Sequence, residues 1–141
     1  MGLAGIELIV QDMAAAISFY ARLGVEFPDG AAEQPHMAVE LPNGIELSFD
    51  TLDFTLWGFD PGWTHGPGTI NTLQWSMPTR EAVDDVYADL TGAGYHGHLA
   101  PHDAFWGARY TIVMDPDGNA VGFQSPPDPS KRVGPPTKFT A

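Results

Sequence analysis

FWGARYTIVMDPDGNAVGF, residues 105–123, decides how this chain is read. A β-forming run follows Gly107, leads into Asp115-Pro116-Asp117-Gly118-Asn119, and gives way to a second β-forming run. Pro116 presets φ for a turn, and Gly118 and Asn119 tolerate positive φ, so the stretch predicts a hairpin. Upstream, AVELPNGIELSF at 38–49 has the same design. Laying Pro42 on Pro116 and Gly44 on Gly118 gives an offset of 74 both times, and Phe49 then falls on Phe123. The chain reads as two copies of one unit.

Each copy opens with a strand followed by a helix. In LAGIELIV, residues 3–10, Ile6, Leu8 and Val10 share one face, and Gly5, Glu7 and Ile9 the other. Asp12 is a ready N-cap for a helix to about Leu23, whose Met13, Ala16, Ile17, Tyr20 and Leu23 recur at helical spacing. Strands are expected near 25–27, 36–41 and 45–50. The second copy begins with TINTLQWSM at 69–77, and Thr79 caps a helix to about Leu90 with an apolar stripe of Val83, Val86, Tyr87 and Leu90. Further strands are expected near 95–99, 108–114 and 119–124. The architecture is α+β, two βαβββ modules in tandem, each a mixed sheet with a packed helix. Module one covers about 3–50, a connector about 51–68, and module two about 69–125.

The connector carries Phe54, Trp57, Phe59 and Trp63 among Gly and Pro, and no regular structure is expected in it. These aromatics serve either packing or direct ligand contact. The tail, 126–141, is too Pro-rich for a helix or a central strand. It should run extended over the surface or be disordered, with no catalytic role.

Eighteen acidic and six basic residues give a formal charge of −12, which opposes binding to nucleic acid or an anionic membrane surface. The same charge serves either solubility or steering of a cationic ligand. With no Cys there are no disulfides, thiolate metal sites or Cys nucleophiles. No leader-like or long apolar segment stands at the N-terminus, so a cytoplasmic protein is the expectation.

The paired modules, the helix phrase VQDMAAAISFYARLG and the segment WGARYTIVMDPDGNAVGF resemble the vicinal oxygen chelate superfamily. This group comprises glyoxalases, bleomycin resistance proteins and ring-cleaving dioxygenases, and the resemblance extends over nearly all of residues 1–125. It implies that each module curls its sheet into half of a cup. It also implies a divalent metal held by His or Gln on each module's first strand and by Glu on each last strand. In this sequence the first-strand positions fall on Gly5 and about Thr72, and the last-strand position of module two falls on Gly122. In module one the family register points to Glu46, whereas the internal repeat sets Ser48 opposite Gly122. Glycine offers no ligand, so at best Glu46 remains of a four-ligand set, and no metal cofactor is expected.

His65, His96, His98 and His102 crowd one half of the chain, and His96 and His98, with His102 or Asp103, form either a surface or pocket site or incidental strand-end histidines. His36 lies far from them. A displaced metal site joining Glu46 to a His, or Glu46 or Glu7 as general base, is the enzyme alternative: a lyase, isomerase or dioxygenase. Ser18, Ser48 and Ser76 lack a nucleophile-elbow context, and the glycines form no phosphate loop. Asp84 and Asp85 read as solvated helix residues.

On these assignments the cup receives Glu7, Thr72, Gln74 and Ser76, with Glu46 and Ser48 nearby. Buried carboxylates call for water, an Arg or a cationic ligand, and Arg109 is either their internal partner or a ligand contact. Trp75 shares parity with Leu73 and Met77 and is assigned to the core, leaving Trp57, Trp63 and Trp106 for stacking on a planar or cationic ligand. The pattern resembles the bleomycin resistance branch, which implies metal-free sequestration of a small cationic or aromatic molecule by a homodimer. An accessory domain serving a partner protein is a third reading.

Overall fold

The computed structural model describes residues 1–64 and 71–134, and the chain divides into two compact units, Met1–Pro67 and Gly68–Ala141.

The first unit runs β1 (Gly5–Val10), α1 (Met13–Ala21), β2 (His36–Glu40), β3 (Glu46–Thr51), α2 (Leu52–Gly58). Its sheet has the order β1-β3-β2, with β1 parallel and β2 antiparallel to β3. The Asp12 carboxylate accepts from the Ala15 N–H at 3.1 Å, fixing the start of α1. Met13, Ala16, Phe19 and Tyr20 are buried, and so are Leu8, Val10, Leu47 and Phe49 on the facing sheet surface. The Tyr20 and Phe49 rings lie 5.3 Å apart within this core.

Two expectations for this half are corrected. No strand forms at 25–27, so the unit is not a full βαβββ module. The Val25 N–H is spent on the Tyr20 carbonyl at 3.2 Å, Pro28 supplies no donor, and Phe27 turns its ring onto Phe49 at 5.5 Å. The connector also begins with regular structure. Thr51 caps α2 through its hydroxyl, which accepts from the Phe54 N–H at 3.3 Å, and Thr55 Oγ1 donates back to the Thr51 carbonyl at 3.0 Å. Thr51 followed by Asp53 was the readable signal; the aromatic and glycine content obscured it.

The second unit runs β4 (Thr72–Ser76), α3 (Arg80–Gly92), β5 (Gly97–Asp103), β6 (Arg109–Met114), β7 (Ala120–Gln124), in the sheet order β4-β7-β6-β5. The parallel pairs repeat: Gly5 sits opposite Glu46, and Thr72 opposite Ala120. The repeat register therefore holds, and Ser48 is the counterpart of Gly122. Thr79 caps α3 by accepting from the Ala82 N–H at 3.1 Å. Val83 and Leu90 of the helix are buried, as are Thr111, Val113, Val121 and Phe123 of the sheet.

The DPDGN hairpin forms around Asp115, whose Oδ1 accepts from the N–H groups of Asp117 and Asn119 at 2.9 and 2.8 Å. Only Gly118 of the turn takes positive φ, at 84°, matched by Gly44 at 83° in the first copy. Beyond Ser125 the tail is ordered as far as it is described. It lies along the loop between β5 and β6, with the Asp128 N–H donating to the Gly107 carbonyl at 3.0 Å and the Val133 N–H to the Phe105 carbonyl at 2.9 Å. Its sole regular element among the described residues is a 3-10 turn at Pro129–Lys131.

Candidate functional site

Each sheet packs one face on its helix, and strand parity fixes what the opposite face carries. In the second unit that face presents Thr72, Gln74 and Ser76 from β4, Gly122 and Gln124 from β7, and Tyr110, Ile112 and Met114 from β6, with His102 paired to Tyr110. Trp106 joins them from the loop strapped by the tail.

These side chains are hydrogen-bonded into a polar aromatic patch. Trp106 Nε1 donates to Gln124 Oε1 at 3.2 Å, and the Trp106 and Tyr110 rings meet edge to face at 5.6 Å. Gln74 hydrogen-bonds the Tyr110 phenol, whose pKa is raised above the ordinary 10.0 because burial outweighs that bond. The phenol is therefore neutral at physiological pH. The His102 ring stands 6.1 Å from Tyr110, and its buried Nδ1 has no hydrogen-bond partner among the described residues. Neutral donors and acceptors beside aromatic edges suit a planar polar molecule.

The same face tests the fit of the family's metal. A Cβ on Gly122 would come within 2.8 Å of the Tyr110 hydroxyl, so the phenol fills the space where a last-strand ligand would start. A Cβ on Gly5 would come within 2.6 Å of the Glu46 carbonyl oxygen, which blocks a ligand side chain there too. Gly5 and Gly122 hold no donor, and these residues do not fit the family's four-ligand set. Among the described residues no group of three or more His, Asp or Glu converges to hold a metal ion. His96 and His98 are exposed, and β5 is bulged between Gly97 and His102. His65 lies outside the described residues.

In the first unit the face away from α1 carries Glu7 opposite Ser48, Glu46 opposite both Gly5 and Glu40, and His36 opposite Asp50. The Ser48 hydroxyl donates to Glu46 Oε1 at 3.0 Å. Trp57 on α2 is 86% exposed, and Trp63 beyond it is partly exposed.

Thr72, Gln74 and Trp106 come together, and so do Glu7, Glu46 and Ser48. Arg109 points the other way, toward α3: its Nε donates to Asp84 at 3.0 Å and its guanidinium reaches Asp103 at 3.2 Å. Arg80 binds the same Asp103 and the Gly107 carbonyl. Arg109 is thus paired within its own unit, and Asp84 is paired rather than merely solvated. Sequence reasoning missed Tyr110, Gln124, Asp50 and the role of His36. Period-two parity from Gly122 and Ile112 would have found the first two.

Comparison with known proteins now identifies the class. Residues 2–123 match the family model of the Glyoxalase/Bleomycin resistance protein/Dioxygenase superfamily. The chain belongs to this superfamily. It is similar in fold to a glyoxalase/bleomycin resistance protein/dioxygenase family enzyme from Burkholderia phytofirmans PsJN, at 17% identity and TM-score 0.76, covering 89% of this chain and 98% of that one. A glyoxalase-related enzyme from Fulvimarina pelagi gives 19% and 0.74, over 89% and 88% of the two chains. A glyoxalase/bleomycin resistance protein/dioxygenase from Nocardioides gives 19% and 0.72, over 96% and 90%. Comparison with curated proteins gave no match. No helix among the described residues is long and apolar enough to cross a membrane.

Proposed function

We propose that this chain binds a small planar molecule on the Trp106, Tyr110 and Gln74 face, without the metal used by enzymes of its superfamily. The observation that carries the reading is the Tyr110 phenol standing over Gly122 and hydrogen-bonded to Gln74. A position used in the family for metal ligation is here taken by a neutral donor beside an indole. The formal charge of −12 adds a preference for neutral or cationic ligands over anions. The protein would act as a cytoplasmic carrier or sequestering protein for an aromatic metabolite or drug, working as a homodimer as in the bleomycin resistance branch.

The test is a tryptophan-fluorescence titration with a panel of neutral, cationic and anionic aromatic compounds, run with and without chelator. Saturable binding unaffected by chelator and weakened about tenfold in Trp106→Ala supports the proposal, since loss of one stacking anchor costs roughly 1–2 kcal/mol. Absence of saturable binding across the panel, or binding abolished by chelator, overturns it. Native mass spectrometry of untagged protein reports subunit count and any retained metal or organic mass in one spectrum.

A further inference from the structure

Asp50 is 1% exposed on β3, yet it carries a carboxylate. A buried carboxylate requires a partner, and its partner is His36 of the neighbouring strand, with Nδ1 at 2.5 Å from Oδ1. An ionised carboxylate only accepts, so with Asp50 ionised it is Nδ1–H that donates, which leaves the imidazole lone pair on Nε2. That nitrogen has no partner among the described residues, and the His36 side chain is 51% exposed. The next pair along the same face is Ala38 opposite Ser48, both small. The Phe54 ring, 6.1 Å from the imidazole, walls one side.

The surrounding charges have one sign. Glu7 on β1, Glu40 on β2, Glu46 and Asp50 on β3 and Asp53 on α2 are the charged groups of the elements that pack here, and none of these elements contains Lys or Arg. Such a field repels anionic substrates and suits neutral or cationic ones.

We infer that His36 is a proton-accepting catalytic base, oriented by Asp50, acting on neutral or cationic small molecules bound to the first unit's open face. The same logic of a carboxylate holding an imidazole by Nδ1 underlies triad enzymes.

A nitrobenzisoxazole is a neutral probe for such a base. Its C–H proton passes to Nε2, the C–H electron pair forms the new nitrile bond, and the N–O bond breaks with its pair left on the phenolate oxygen. Imidazolium then returns the proton to water. The expected result is turnover well above that of imidazole at equal concentration, falling about tenfold or more in His36→Gln and less in Asp50→Asn. Nitrogen-15 NMR of the unmodified protein should show the Nδ1–H tautomer of His36, a readout independent of whether Asp50→Asn folds. Turnover no faster than free imidazole, an unchanged rate in His36→Gln, or a dominant Nε2–H tautomer overturns the inference.

Discussion

Tyr110 and Gly122 are complementary: the phenol of one lies where the side chain of the other would begin, 2.8 Å from the hydroxyl oxygen to the position of a Cβ. The two residues sit on adjacent antiparallel strands, with Gly122 paired to Ile112, two residues from Tyr110. Absence of a side chain at one position is thus the condition for the aromatic patch at the other.

Gly122→Ala should therefore destabilise the fold. The added methyl also meets Thr72 Cγ2 at 3.2 Å, so both neighbours must shift, at a cost of about 1–3 kcal/mol. Urea denaturation measures this. Because the obstruction includes the phenol oxygen, Tyr110→Phe in the same chain should recover part of the loss, and strictly additive effects would contradict the packing described.

Tyr110 makes a pH-dependent contribution. Burial raises its phenol pKa above 10.0, so the folded state holds the proton more tightly than the unfolded chain. The contribution is full below about pH 10 and is lost as pH rises through the folded value. Ultraviolet difference titration should show a late-ionising tyrosine component whose amplitude falls by one residue in Tyr110→Phe.

Arg109 should matter little for ligand binding. Its guanidinium and Asp84 are both partly exposed, with side-chain exposures of 25% and 48%, so the ion pair contributes about 0–1 kcal/mol. Asp84→Asn is expected to lower the thermal midpoint slightly and to leave aromatic-ligand affinity within twofold of the parent. A tenfold loss of affinity would return Arg109 to the ligand site.

Gly107 ties the tail to the loop that carries Trp106. Its φ is +95°, and a Cβ there would lie 2.3 Å from the Asp128 carbonyl oxygen, which is backbone and cannot swing aside. Gly107→Ala should cost roughly 2–4 kcal/mol, combining left-handed strain with displacement of the strap. Proteolysis beyond Ser125 should accelerate, and the Trp106 emission should shift red. Unchanged cleavage would show that the strap does not depend on this contact.

Much of the fold was legible in the chain itself. Asp12 and Thr79 act as caps, Gly44 and Gly118 turn their hairpins, and the offset of 74 reproduces the strand register in both units. Each is a local property: a cap needs one oxygen near an N–H, a tight turn needs one residue free to adopt positive φ, and parity needs only alternation. Parity alone also set Glu7, Thr72 and Gln74 on the open faces and Trp75 with Leu73.

The tertiary structure decided what no local rule reaches. Val25 to Phe27 had the composition of a strand, but the Tyr20 carbonyl took the Val25 N–H and the Phe49 ring took Phe27. Arg109 had acids available in either direction, and the nearby Asp84 and Asp103 claimed it. His36 and Asp50 stand fourteen residues apart and become a pair only because β2 and β3 register them opposite each other. Most of the elements, their order and their faces were legible in the chain, since these follow from neighbours along it. Which charges pair, and which side chain fills the space over Gly122, depended on distances between strands, and those exist only once the sheets have formed.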